Sequence, residues 1–116
     1  MEAVAKRPEL VRTTQRVSAP ALAEELSSAN PPVVIDIRTP REWSAGHLTG
    51  SINLPLSQLQ QRLNEVPRDL RIAVHCAGGY RSSLAASILS QQGITDLIEL
   101  AGGIAAWEAA KLPVVA

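Results

Sequence analysis

One cysteine and one arginine bracket a short glycine-containing segment in the second half of the chain. Cys76 is the only cysteine, and four residues separate it from Arg81. An apolar run at 72–75 precedes it, and a helix is predicted to begin at Ser82. Glycine accepts the positive φ values that turn successive backbone N–H groups to one side, so the segment can form an anion-binding loop. The loop residues are Ala77, Gly78, Gly79, Tyr80 and Arg81.

This setting predicts a reactive thiol at Cys76. A helix N-terminus and a neighbouring cation, here Arg81, lower the pKa of a cysteine from about 8.5 to about 3.5–7.5. A thiolate exposed at the sheet edge would act as a nucleophile, and the loop amides would hold a second sulfur or an oxyanion. The alternative is an inert core thiol, since single cysteines are often buried. The position of Cys76 after a strand and before two glycines favours the catalytic interpretation.

The other polar residues near this loop are expected to support it rather than to react. Asp36 and Arg38 end another buried strand on the same sheet edge and are predicted to form a structural ion pair. His75 adjoins Cys76 in a strand, so its side chain should face the opposite way, and we leave it out of the catalytic set. Glu42 and His47 are expected to be solvated or to fix the fold. One cysteine and two histidines offer no metal-ligand cluster, so no metal or organic cofactor is expected.

The elements that position these residues alternate between apolar runs and amphipathic stretches, which is typical of an α/β domain. Ser18 and Ser57 are predicted to cap the first two helices, the second over 57–66. A third helix is predicted over 82–92, with Leu84 on its buried face. A last helix is predicted over 104–110, and strands over 33–37, 52–54, 72–75 and 97–100. The predicted fold class is a single doubly wound α/β domain with four to five short parallel strands and helices on both faces. Ligands of such sheets bind beyond the C-terminal strand ends.

Composition limits the number of domains and the kinds of partner. The 116 residues, 46% of them hydrophobic, suffice for one domain with one core. Eleven basic and eleven acidic residues leave no net field that would attract nucleic acid or an anionic membrane. Residues 1–15 are predicted to be a tail or linker before a domain over 16–116, and no apolar run has signal-peptide or membrane-spanning length. A cytoplasmic location is expected, which suits a reduced thiol.

Three ordered motifs resemble the signature segments of rhodanese-type sulfurtransferases over about residues 16–115. The first lies within 36–55, with Asp-x-Arg, Glu-Trp and Gly-His-Leu-x-Gly-Ser-x-Asn; the second is the loop over 74–82; the third is Leu-Ala-Gly-Gly-Ile-Ala-Ala-Trp over 100–107. The resemblance implies that Cys76 cycles between thiol and persulfide. Sulfane sulfur would pass from thiosulfate or a low-molecular-weight persulfide to cyanide or a thiol. The residues around that sulfur would be Ala77 to Arg81, supported by Asp36, Arg38 and Ser82.

Loop length distinguishes relatives of this fold. Related phosphatases and arsenate reductases use a Cys-x5-Arg loop, whereas four residues separate Cys76 from Arg81, so a sulfur ligand is favoured over phosphate. The loop is also similar to that of rhodanese domains fused to persulfide dioxygenases. That similarity implies a fused or partner persulfide-metabolising enzyme. The loop has one cation where some thiosulfate-preferring members have two, which makes thiosulfate less favoured and leaves glutathione persulfide or a protein persulfide as candidate donors. A non-catalytic rhodanese module that binds or regulates a partner is the alternative function.

Overall fold

The computed structural model describes residues 14–78 and 80–116, which form a five-stranded parallel sheet with helices on both faces. The strands follow the order β1-β5-β4-β2-β3 and are β1 (Gln15–Val17), β2 (Val33–Asp36), β3 (Ile52–Asn53), β4 (Ile72–His75) and β5 (Leu97–Leu100). The helices are α1 (Ala19–Leu26), α2 (Pro40–Ala45), α3 (Tyr80–Gln91) and α4 (Gly103–Ala109), with two 3-10 helices at Leu56–Gln58 and Gln60–Glu65. The predicted fold class is confirmed. Among these elements, no helix has the length and apolarity that a bilayer crossing needs.

The central strands are nearly continuous apolar runs because both of their faces are covered. β2 and β4 pair in register from Val33 and Ile72 to Asp36 and His75. Successive side chains point to opposite faces, and they feed two separate cores. The core on the α3 side includes Ile35, Leu54, Leu59, Val74 and Leu89. The core on the side of α1 and α4 includes Leu22, Val34, Ile98, Ile104 and Trp107.

The first strand and the first helix flank residue Ser18. β1 pairs with β5 at the sheet edge, with Val17 opposite Leu100, and sequence analysis did not predict it. A three-residue edge strand with two exposed polar residues carries too little pattern to be recognised. Residues 1–13 of the predicted tail lie outside the described residues. α1 begins as expected, because the Ser18 hydroxyl accepts a hydrogen bond from the Ala21 N–H at 3.2 Å.

Two connections differ from the prediction. The helix expected over 57–66 is two 3-10 helices, Ser57 caps neither, and Arg62 interrupts the second with φ −115° and ψ 23°. Leu59 and Val66 are still buried, since a 3-10 turn of three residues also returns side chains to one face. The connection between β2 and β3, for which no helix was predicted, contains α2.

The start of α3 lies two residues earlier than predicted, at Tyr80. Ser82 therefore lies inside the helix and not at its first position; its buried hydroxyl donates to Glu99 Oε1 at 3.1 Å. Leu84 is 57% exposed and not on the buried face, whereas Ala85 is fully buried. The earlier start shortens the connection between β4 and α3 and moves Arg81 into the first turn of the helix.

Candidate active site

Cys76 follows β4 directly, at the C-terminal edge of the sheet. Its carbonyl oxygen accepts a hydrogen bond from the Ile104 N–H at 2.9 Å. The next carbonyl oxygen, that of Ala77, accepts from the Ala105 N–H at 3.0 Å. The beginning of the loop is therefore bound to the first turn of α4.

These two hydrogen bonds fix the direction of the following amides. The described chain contains no cis peptide bond, and in a trans peptide the C=O and N–H point in opposite directions. Because the carbonyls of Cys76 and Ala77 point to α4, the N–H groups of Ala77 and Gly78 point away from it. They are two of the donors that the sequence predicted for an anion.

Gly103 permits this close approach of α4 to the loop. Its φ is +60°, and a Cβ at this position would overlap the carbonyl oxygen of Cys76 and lie 2.7 Å from that of Ala77. The second glycine of the Gly-Gly motif therefore leaves room for the hydrogen bonds between the α4 amides and the loop carbonyls. Sequence analysis used this motif only as part of a resemblance.

The Cys76 residue itself has no solvent-exposed surface. It belongs to the core on the α3 side, together with Ala85 and Leu89. The prediction of a sulfur exposed at the sheet edge is therefore wrong. The physical reason is that the Cys76 side chain faces the α3 core while α4 binds its carbonyl from the other side. Contact with a reagent requires a covering residue to move.

Arg81, the predicted loop cation, is held by Glu42 of α2. Its Nη1 and Nη2 donate to the two carboxylate oxygens of Glu42 at 2.9 and 3.0 Å. The bonds from Arg81 lower the pKa of Glu42 to about 2, against a smaller opposing effect of burial. Glu42 in turn raises the pKa of the Arg81 guanidinium, and negative charge on Cys76 and Asp36 raises it further. The positive charge predicted beside Cys76 is thus present, but it is shared with a carboxylate.

Glu42 is fixed in place by the N-terminus of α2. The Thr39 N–H and hydroxyl donate to Glu42 Oε1 at 3.0 and 3.2 Å, and the Glu42 N–H donates to the Thr39 hydroxyl at 3.2 Å. This reciprocal arrangement is a capping box, with Pro40 in the first turn. The Thr-Pro-x-Glu spacing was the sequence signal that could have identified both the helix and the position of Glu42.

Asp36 and Arg38 form the predicted ion pair, and it is buried. Arg38 Nε and Nη2 donate to Asp36 Oδ1 and Oδ2 at 2.9 and 2.7 Å, and Nη2 also donates to the Gly46 carbonyl at 2.7 Å. Asn53 donates to the carbonyls of both residues, at 3.1 and 2.9 Å. The pair therefore ties β2, β3 and the end of α2 together beneath the loop.

His75 lies between this ion pair and the loop. Its Nδ1 is 3.1 Å from the Cys76 carbonyl oxygen, which requires Nδ1 to carry the proton. Its Nε2 is 3.7 Å from Asp36 Oδ2 and has no hydrogen-bond partner among the described residues. Burial lowers the pKa of His75 below its usual 6.5, against the opposing effects of the Asp36 charge and the Cys76 carbonyl. A neutral imidazole that holds a backbone carbonyl is a support, as expected.

The remaining predicted site residues are less closely tied to the thiol. Gly78 is exposed, and Gly79 lies outside the described residues. Tyr80 begins α3. Ser82 shares the buried Glu99 of β5 with Ser83, whose hydroxyl donates to the same oxygen at 3.2 Å. This contact holds α3 against β5. Sequence analysis did not identify Glu99 as a partner of α3, because Glu99 lies in an otherwise apolar strand.

A parallel α/β sheet with a Cys-x4-Arg segment that runs from the end of β4 into the first turn of α3 is the arrangement expected of a rhodanese-like domain. A family model described as "Rhodanese-like domain" matches residues 18–110, and the chain belongs to this family.

Similar proteins agree with this assignment. A "Sulfurtransferase" of Allochromatium vinosum is 34% identical over 100 residues, which cover 86% of this chain and 94% of the relative. A "Thiosulfate sulfurtransferase GlpE" of Ectopseudomonas mendocina is 37% identical over 95 residues, 82% of this chain and 85% of the relative. A crystal structure of a rhodanese-related protein from Thermoplasma volcanium superimposes with a TM-score of 0.80 at 36% identity, covering 87% of this chain and 97% of that one.

Proposed function

We propose that this protein is a sulfurtransferase that carries sulfane sulfur as a persulfide on Cys76. The observation that supports the proposal most strongly is the loop geometry. The Ala77 and Gly78 amides point away from α4, and negative charge on Cys76 raises the pKa of the Arg81 guanidinium. Amide donors and a cation stabilise a thiolate before transfer and a persulfide anion after it.

Sulfur transfer then takes two displacement steps. In the first, the Cys76 thiolate attacks the outer sulfur of the donor, a new S–S bond forms, and the donor's S–S bond breaks. Its electron pair leaves with sulfite when the donor is thiosulfate, or with a thiolate when the donor is a persulfide. In the second, an acceptor thiolate or cyanide attacks the outer sulfur of the persulfide, and the Cys76 thiolate is released.

The proposed donors are thiosulfate and low-molecular-weight or protein persulfides, and the proposed acceptor is a thiol. A persulfide-metabolising enzyme, fused or separate, is the partner class that this chemistry suits. No nucleic acid or membrane is part of the proposal. A cytoplasmic location, where thiols stay reduced, also fits this chemistry and stays a prediction.

One observation favours the alternative of a non-catalytic module that binds or regulates a partner. Cys76 is fully buried, and a buried cysteine in apolar surroundings is often inert. Under this alternative the sulfur would serve packing alone, and Cys76→Ser would leave the biological role unchanged.

Intact-mass analysis after incubation with each donor distinguishes the two functions. The proposal expects one added sulfur atom on the wild type, none on Cys76→Ser, and its removal by a thiol acceptor. Absence of the adduct with thiosulfate and with glutathione persulfide, on folded and reduced protein, would rule the proposal out.

A further inference from the structure

Glu42 of α2 and Arg81 of α3 form a two-point ion pair beside the loop that follows Cys76. We infer that Glu42 is a specificity-determining residue that disfavours dianionic donors relative to monoanionic ones. The inference rests on the proposed sulfur transfer and adds to it the charge class of the donor.

The pair is held so that its charges stay together. Both terminal nitrogens of Arg81 are bound by Glu42, and the two side chains are 34% and 35% exposed. Glu42 does not turn away readily, because the N–H and hydroxyl of Thr39 both donate to its Oε1. Arg81 is the one cation between positions 76 and 82 of the sequence. The Glu42–Arg81 pair therefore contributes a net charge near zero next to the Cys76 thiolate, where the sequence alone suggests a full positive charge.

The buried titratable side chains of β2 and β4 next to the loop do not alter this balance. The buried pair of Asp36 and Arg38 is also neutral overall. His75 lies on the side of that pair and is buried in its neutral form. The charge of Glu42 is therefore the charge beside the loop that a single substitution can remove without disturbing a buried pair.

Two donors of nearly the same shape isolate the effect of charge. Thiosulfate carries two negative charges, and methanethiosulfonate carries one, because a methyl group replaces a charged oxygen. In both reactions the Cys76 thiolate attacks the outer sulfur, a new S–S bond forms and the donor S–S bond breaks. The electron pair leaves with sulfite or with methanesulfinate. The ratio of kcat/KM for thiosulfate to that for methanethiosulfonate therefore reports how the site responds to the second charge.

The direct test is Glu42→Gln. Glutamine suits the same capping-box position, so α2 keeps its cap, while the amide removes the charge and no longer binds Arg81 through two oxygens. We expect the donor ratio to rise about three- to tenfold at low salt, as expected for one unit charge near a partly exposed site. Glu65→Gln is the matched control. Glu65 forms a similar two-point ion pair with Arg62, in a 3-10 helix, and its substitution should leave the ratio unchanged.

Arg81→Gln provides a second test that does not depend on the first variant. It leaves the Glu42 carboxylate without its cation, so the donor ratio should fall below the wild-type value. The double variant, Glu42→Gln with Arg81→Gln, leaves positions 42 and 81 without net charge, as in the wild type. It should return the donor ratio close to the wild-type value, although both donors react more slowly. A purely structural role of Glu42 would change both donors by the same factor.

The outcomes separate the inference from the function on which it rests. Sulfur transfer with a ratio that neither Glu42→Gln nor Arg81→Gln alters would overturn the inference alone. Failure of the folded wild type to form a persulfide with either donor would overturn the inference and the proposed function together. A ratio that rises in Glu42→Gln, falls in Arg81→Gln and stays constant in Glu65→Gln supports the inference.

Discussion

Two acidic residues near Cys76 hold arginines in different surroundings. Asp36 is fully buried and its partner Arg38 is nearly so, whereas Glu42 and Arg81 are each about one-third exposed. A buried charge that loses its partner stays desolvated without compensation, whereas water hydrates a partly exposed charge that loses its partner. The first pair therefore serves stability, and the second is available to influence a ligand.

Asp36→Asn is expected to destabilise the fold by about 3–5 kcal/mol, because it leaves the Arg38 guanidinium buried without a carboxylate. Urea unfolding followed by circular dichroism measures the loss. Glu65→Gln removes a carboxylate from the exposed pair with Arg62 and should change stability little. Equal losses in the two variants would contradict the structural role assigned to Asp36.

His75 should make the fold less stable as the pH falls. Burial lowers its folded-state pKa below 6.5, so below about pH 6.5 the unfolded chain binds a proton that the folded chain excludes. The contribution of neutral His75 to the free energy of unfolding is complete above pH 6.5. It is lost as the pH falls from 6.5 toward the folded-state pKa of His75. Glu42, whose pKa is lowered to about 2, loses its own contribution to stability in a more acidic range than His75 does.

Urea midpoints at pH 7.5 and 5.5 test this pH dependence. The drop between them should be larger for the wild type than for His75→Asn, whose amide can still donate to the Cys76 carbonyl but does not titrate. An identical drop in both proteins would show that His75 does not contribute.

At the scale of elements, α4 shapes the loop through its backbone. The Ile104 and Ala105 amides bind the Cys76 and Ala77 carbonyls, and Gly103 leaves room for them. The loop amides are thus directed by an element that lies some 27 residues further along the chain than Cys76. The two glycine-containing motifs of the sequence are parts of one site.

Gly103→Ala should destabilise the fold by about 2–4 kcal/mol, since it combines a positive φ with a clash against two backbone carbonyls. It should also reduce the rate of persulfide formation, because the clash displaces Cys76. Gly50→Ala is the matched control: Gly50 has φ +80° and open space around it, so only the backbone strain applies. Melting temperatures and single-turnover rates compare the two. Equal effects would mean that the contact with the loop is unimportant.

The sequence predicted the elements whose signals are local and missed the contacts that depend on their assembly. β2, β4 and β5 are recognisable because strands covered on both faces are nearly continuous apolar runs, each here with a single polar residue. The predicted start of the third helix at Ser82 was two residues too late, because the helix starts at Tyr80. The contact of Glu42 with Arg81 spans 39 positions and requires α2, which was not predicted. The burial of Cys76 follows from packing on both sides of the loop, which no spacing in the sequence reveals.

At the scale of the whole molecule, the described residues after position 13 contain the five strands and both cores. A chain that begins at residue 14 is therefore expected to keep the melting temperature and the persulfide yield of the full chain. Circular dichroism and intact mass measure the two quantities. A marked loss of either would show that residues 1–13 contribute to the domain, contrary to the predicted domain boundary.

The central claim is that Cys76 accepts and releases a sulfur atom although the residue is buried. Intact-mass spectrometry of the wild type and Cys76→Ser after exposure to thiosulfate and to glutathione persulfide tests it most directly. The account predicts one additional sulfur atom on the wild type alone, which a thiol acceptor then removes. An unmodified wild-type mass with both donors, on protein shown to be folded and reduced, would contradict it.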